Sequence, residues 1–320
     1  MYIDSIMDIY TFVDYHYILF IVLIIIIVLI YKYYNTKPNE RQYLDKYLLE
    51  TVKKQKDIVL SCKPKIWIHI DREINSREWE SFSTKNTRKL NQPYLYLTLE
   101  TILNHCSSSF DIYLITDDSF TEILPNWNID MGKISYPIKD KIRMKGMMEI
   151  LYHYGGMILP IHFICKENLI EMYKKYIDEG IFVSEMPIFR NNRTEFSESN
   201  KIMGAKKGNT ILNEYILWFQ ENISNDYTAE SIFKDEERTW LSKNVTNMIP
   251  AKYIGTQDEN GEMIGVEKLM STEIINFYSK AYGIYIPRNE LLTRLKYNWF
   301  CQLKEEEVIH SKTNIAFLLQ

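Results

Sequence analysis

Ile150-Leu-Tyr-His-Tyr-Gly-Gly-Met-Ile-Leu-Pro-Ile-His-Phe-Ile164 is the stretch on which the fold turns. Its first five residues continue the helical run IRMKGMMEILYHY (142–154), and MILPIHFI after it reads as an apolar strand. Between them Gly155-Gly156 supplies a turn that requires positive φ or close backbone approach. A helix passing through such a turn into an apolar strand is the second half of a strand–helix–strand crossover.

Upstream, KIWIHI (65–70) reads as a strand and 71–91 as a polar, basic segment. PYLYLTLETILNHC (93–106) reads as a helix entered at Pro93, FDIYLITDD (110–118) as a second strand and KISYPI (133–138) as a third. Downstream come a helix in NLIEMYKKYIDEG (168–180), a strand in IFVSEM (181–186), a polar loop at 190–200 and a helix in TILNEYILWFQENI (210–223). This alternation predicts an α/β fold with a mostly parallel sheet and ligands at the carboxyl ends of its strands. The last hundred residues read as an α+β extension. It holds a helix over 228–245, a short strand GIYIP and a final helix NELLTRLKYNWFCQL with Leu291, Leu292, Leu295, Trp299 and Phe300 on one side.

Composition narrows the function. Hydrophobic residues at 46% and charged residues at 25% suit a packed domain, and a net charge of −4 argues against a nucleic-acid coat. Heavy use of Ile, Lys, Asn and Tyr with little Gly or Ala is attributed to an AT-rich genome, such as that of a large DNA virus. The cysteines Cys62, Cys106, Cys165 and Cys301 have no zinc spacing and read as free thiols.

Ile18 to Ile30 is unbroken apolar sequence between Tyr15, Tyr17 and Tyr31, Tyr33, Tyr34. About 20 residues at ~1.5 Å each span a ~30 Å bilayer core, so 15–34 is expected to be a single-pass membrane anchor. Lys32, Lys37, Arg41 and Lys46 follow it and put the large part in the cytosol by the positive-inside rule; sequons at Asn192, Asn222 and Asn244 argue for the opposite face. The expected organisation is a tail (1–14), an anchor (15–34), a helical stalk (35–62), a core (63–225) and an extension (226–320).

Four pieces then carry a family resemblance. Pro64-Lys-Ile-Trp-Ile-His69, Phe110-Asp-Ile-Tyr-Leu-Ile-Thr-Asp-Asp118, Ile150-Leu-Tyr-His-Tyr-Gly-Gly156 and Lys201-Ile-Met-Gly-Ala-Lys-Lys-Gly208, in this order and spacing, resemble the DXD-type glycosyltransferases of the capsular-polysaccharide and Och1-like mannosyltransferase group. The resemblance implies a GT-A, Rossmann-like fold that transfers sugar from a nucleotide-diphosphate donor to a glycan or protein acceptor. It also implies two metal-binding aspartates after the Gly-Gly turn, and these fall on Pro160 and His162. Proline ligates nothing and one imidazole is a poor site for a hard cation, so no metal site and no cofactor is expected.

On this reading the diphosphate charge is met by cationic side chains. Donor-binding candidates are His69, Asp71, Arg72 and Asn75 after the first strand and Asp117 and Asp118 after the second. Arg143 and Lys145 on the helix and Gly155 and Gly156 at the turn complete them. Glu185, a carboxylate breaking its strand, and His162, a histidine on an apolar strand, are the catalytic candidates, with loop, cap and packed-histidine roles standing beside each. The alternative function is a catalytically inactive relative serving as a membrane or virion-associated structural or sugar-binding protein.

Overall fold

The computed structural model describes residues 23–27, 62–70, 92–190, 193–223 and 230–320. The chain divides into two units, 1–48 and 49–320. In the first, residues 23–27 are helical and their aliphatic side chains, from Leu23 to Ile27, are 45–56% exposed. Among the described residues no helix is long and apolar enough to cross a membrane. The rest of the expected anchor, and the stalk up to residue 61, lie outside the described residues.

The second unit opens with β1 (Lys65–His69), α1 (Tyr94–Cys106), β2 (Asp111–Ile115), α2 (Ser119–Ile123), α3 (Ile138–Tyr154) and β3 (Gly156–Ile158). It continues through β4 (Phe163–Cys165), α4 (Ile170–Tyr176), β5 (Ile181–Arg190), β6 (Arg193–Ala205), α5 (Thr210–Ile223), α6 (Glu230–Asn244) and β7 (Met248–Ile249). The C-terminal part adds α7 (Val266–Leu269), β8 (Gly283–Tyr285) and the short helices α8 (Arg288–Thr293), α9 (Glu305–His310) and α10 (Asn314–Leu318).

Six strands form one mixed sheet in the order β2-β1-β3-β6-β5-β7. β1 runs parallel to β2 and β3, β7 runs parallel to β5, and β6 is antiparallel to β3 and β5. β4 and β8 form a separate antiparallel pair. Trp67, Ile115, Ile158, Val183 and Met203 pack with Met147, Ile150 and Leu151 of α3 and with residues of α5 and α6 in one buried cluster. Strand alternation turns Ile66 and Ile68, both fully buried, to the opposite face. α1 forms because its buried residues recur at helical spacing: Leu95, Thr98, Leu99, Ile102, Leu103 and Cys106. It packs on β4, and just before that strand Thr98 Oγ1 donates to the Ile161 carbonyl at 2.7 Å.

The Gly-Gly turn has a steric cause. Gly155 and Gly156 have φ of 71° and 106°. A Cβ on Gly156 would lie 2.4 Å from the Lys65 carbonyl oxygen, and the Gly155 carbonyl accepts the Trp67 indole N–H at 2.8 Å. Only glycine lets β3 start this close to β1.

Three expected elements differ. Residues 133–138 are not a strand: a 3-10 turn covers Met131–Lys133 and α3 already begins at Ile138 behind Pro137. In the expected loop at 190–200, residues 193–200 belong to strand β6, which pairs antiparallel with β5. Its outer part is exposed or half-buried, so it carries no apolar alternation to read. The last expected helix stops at Thr293, and Arg294 turns to ψ 116°. Leu291 and Phe300 are fully buried while Leu295 is 86% exposed and Trp299 43%, so the apolar side inferred from spacing is buried only in part.

Candidate functional site

In the order β2-β1-β3 the chain leaves β1 in one direction and returns on its other side, which opens a crevice at the carboxyl ends of β1 and β3. His69 ends β1, Asp117 follows β2, and α3 brings Arg143 to Asp117. Arg143 is bidentate on Asp117, with Nε to Oδ1 and Nη2 to Oδ2 both 2.7 Å, while its Nη1 donates to the Tyr136 hydroxyl at 2.7 Å. His69 Nε2 lies 3.0 Å from Asp117 Oδ1 and Lys139 Nζ 3.8 Å from Oδ2. Burial pushes the Asp117 carboxyl up, but the hydrogen bonds and charges of His69 and Arg143 outweigh it and hold the group well below the usual carboxylate range. Asp117 is therefore ionised and acceptor-only, so the proton between it and His69 sits on Nε2.

Helical geometry sorts the four cations of α3. Lys139 and Arg143, four residues apart, share the face toward Asp117. Lys141 sits 4.1 Å over the Phe233 ring; Lys145 binds Glu149 at 2.5 Å beside Trp127. Asp117, Asp118, Trp127, Asp130 and Lys139 line a cavity of about 490 Å³ on this side of the sheet.

The end of β3 carries different chemistry. Past Ile158 the chain turns through Pro160, whose carbonyl accepts from Phe163 N, into β4. The His162 carbonyl accepts from Ile286 N at 3.1 Å, and its ring meets Tyr285 edge-on at 5.0 Å. Its Nδ1 is buried and has no hydrogen-bond partner among the described residues. Burial, then the charges of Arg288 and Lys201, push the imidazole down to about 3.

Lys201 arrives there by a bulge. Val183 pairs with Met203 but Ser184 with Ser199, which leaves 200–202 extra on β6. Fully buried Ser184 staples the bulge, donating to the Ser199 carbonyl and accepting from Ile202 N. Asn200 turns inward to Tyr215 and Glu237, and Lys201 Nζ lies 5.1 Å over the Tyr285 ring. Arg288 Nε donates to Gln92 at 3.1 Å. Lys201 and Arg288 escaped the sequence reading, since nothing in the local pattern links positions so far apart in the chain.

The other expected site residues separate. Asp118 is exposed at the start of α2 and lines the cavity. Glu185 is half-buried and accepts from Ala251 N at 2.8 Å, at the start of a 3-10 turn. Gly155 and Gly156 lie at the amino end of β3, the far end of the sheet from His69 and Asp117. Asp71, Arg72 and Asn75 lie outside the described residues.

The divalent metal implied by the family resemblance does not fit this donor set. Pro160 offers no ligand atom, and His162 offers one nitrogen beside two cations that would repel a metal ion. Among the described residues no group of three or more His, Cys, Asp or Glu is placed to hold one.

No family model matches the chain, and no curated protein matches it. Solved structures resemble it at low identity. PaToxG glycosyltransferase is 13% identical with a TM-score of 0.31, over 60% of this chain and 75% of that one. An active-site variant of LgtC is 11% identical with a TM-score of 0.38, over 78% and 99%. A transferase carrying two cysteine-to-serine substitutions is 11% identical with a TM-score of 0.32, over 58% and 87%. These likenesses are shallow, and the functional reading rests on the chain's own residues.

Proposed function

We propose that the chain is a GT-A-type glycosyltransferase that takes a nucleotide-diphosphate sugar and transfers its sugar to a glycan or protein acceptor, with side-chain cations in place of a metal. The observation that carries this reading is the crevice at the carboxyl end of the sheet. One wall is the His69–Asp117–Arg143 network beside the 490 Å³ cavity; the other, past β3, holds Lys201 and Arg288 where family resemblance expects a metal.

A nucleoside needs hydrogen-bonding groups fixed in direction, and Asp117 and Asp118 supply acceptors at the cavity wall. Arg143 fixes the orientation of Asp117 and neutralises it, so it acts as a positioning residue. A leaving diphosphate gathers negative charge as the glycosidic bond breaks, and Lys201 and Arg288 would stabilise it by charge and hydrogen bonding. Asp71, Arg72, Asn75 and Lys145 remain candidate donor contacts from sequence. Glu185 and His162 remain candidate catalytic groups, and His162, neutral at ordinary pH, would act through an uncharged imidazole.

A second reading, a sugar-binding relative without turnover, is favoured by one feature: both Asp117 oxygens are already engaged. Calorimetry of full-length protein against a panel of nucleotide sugars, followed by donor hydrolysis, separates the two. Binding with turnover supports the enzyme, binding alone the second reading, and no binding contradicts both.

We also propose that 15–34 anchors the protein in a membrane by a single pass, with the large unit on the cytosolic side. The exposed aliphatic turn from Leu23 to Ile27 supports this. Release from membranes by alkaline carbonate would contradict it.

A further inference from the structure

A second concavity lies at the opposite, amino end of the strands, with a volume of about 420 Å³. Lys63, Lys65, Lys174, Lys206 and Lys207 line it, from three separate stretches of chain: the start of β1, α4 and the turn after β6. No carboxylate is among its described lining residues. Lys65 is only 8% exposed; burial lowers its ammonium from the ordinary range, Asp111 opposes this, and Lys207 pushes the same way as burial. Lys63 Nζ and Lys206 Nζ each spend a hydrogen bond on a backbone carbonyl, of Ser108 and Asp178, which leaves their charge in place, and Lys174 pairs with exposed Glu171.

Lysines gathered in one hollow repel one another, and the arrangement is relieved by an anion that accepts from several ammonium groups at once. We propose that this hollow is a binding site for a phosphate-bearing group, separate from the crevice at the carboxyl end. Point charges on flexible stems suit a phosphomonoester or diphosphate, whose oxygens accept from many directions, better than a planar carboxylate. The same chemistry is offered by a free phosphate ester and by an anionic lipid headgroup.

The test uses full-length protein in neutral detergent at physiological salt. It is titrated with pyrophosphate, with short-chain phosphatidic acid and with short-chain phosphatidylcholine. Lys174 and Lys207 are exposed, so the K174Q/K207Q double variant is expected to fold. Binding of pyrophosphate or phosphatidic acid should weaken about tenfold in the double variant and fall with added salt. Pyrophosphate binding marks a free phosphate ester as the source, and binding of phosphatidic acid alone marks a lipid headgroup. The crevice proposed above can itself take pyrophosphate, so both titrations are repeated in a Lys201→Gln background, where the K174Q/K207Q loss should persist. Binding by neither anion, equal binding of phosphatidylcholine, or loss in Lys201→Gln with none in K174Q/K207Q would overturn the proposal.

Discussion

At the carboxyl end of β1 and β2, the central charges are matched: Asp117 takes two hydrogen bonds from Arg143, one from His69, and has Lys139 within 3.8 Å. At the amino end of the same strands, lysines converge on a hollow with no carboxylate among its described lining residues. A closed ion network holds a fixed shape, as a site that must orient a ligand requires. An open cluster of like charge holds no shape of its own and gains most from an incoming anion. The wall beyond β3 is intermediate. Lys201 rests on an aromatic ring and Arg288 on an amide, which fixes their positions without cancelling their charge.

The largest effect expected from breaking this contrast is at Arg143. Arg143→Met strips Asp117 of its bidentate partner in a largely buried place, and we expect a loss of about 2–4 kcal/mol of stability by urea unfolding. Adding Asp117→Asn should recover part of that loss, because the uncompensated charge goes with it. If Arg143→Met alone changes stability by less than about 0.5 kcal/mol, the network is a solvated surface pair.

A smaller, pH-dependent effect belongs to His162. Its folded-state value of about 3 lies below the ordinary 6.5, so between these values the unfolded chain takes up a proton that the folded chain refuses. Stability should be full above pH 6.5 and decline as the pH falls toward 3. Asp117 works in a lower window. Its stabilisation, present above the ordinary carboxylate value of 3.8, is lost only as the pH falls below that. His162→Phe should therefore flatten the decline between about pH 6.5 and pH 4 in unfolding midpoints and leave the steeper loss below it. An unchanged slope would mean that His162 titrates freely.

The sequence carried the left half of the sheet well. β1, β2 and the turn into β3 are apolar runs bounded by Pro, Gly and Asp, and burial on both faces leaves little else they could be. The β5–β6 pair was not legible, because its outer residues face water and lack the alternation that marks a strand. In the site, His69, Asp117 and Arg143 were each picked from strand ends and helix position, and the structure joins them. Lys139 was within reach as well, since four residues from Arg143 on a helix means the same face. The meeting of His162 with Lys201 and Arg288 was not, because it depends on a bulge at 200–202 and on β8 pairing with β4. Gly155 and Gly156 were recognised as a turn, and their neighbours placed them at the wrong end of the sheet for the crevice.

Cations, and not a metal, are proposed to meet the diphosphate at the end of β3. Titrating full-length protein with a binding nucleotide sugar in excess EDTA, beside the Lys201→Gln and Arg288→Gln variants, tests it most directly. Donor binding should be unchanged by EDTA and by added manganese, and weakened about ten- to a hundredfold in each variant. Binding that appears only with manganese, or that both variants retain in full, would contradict it.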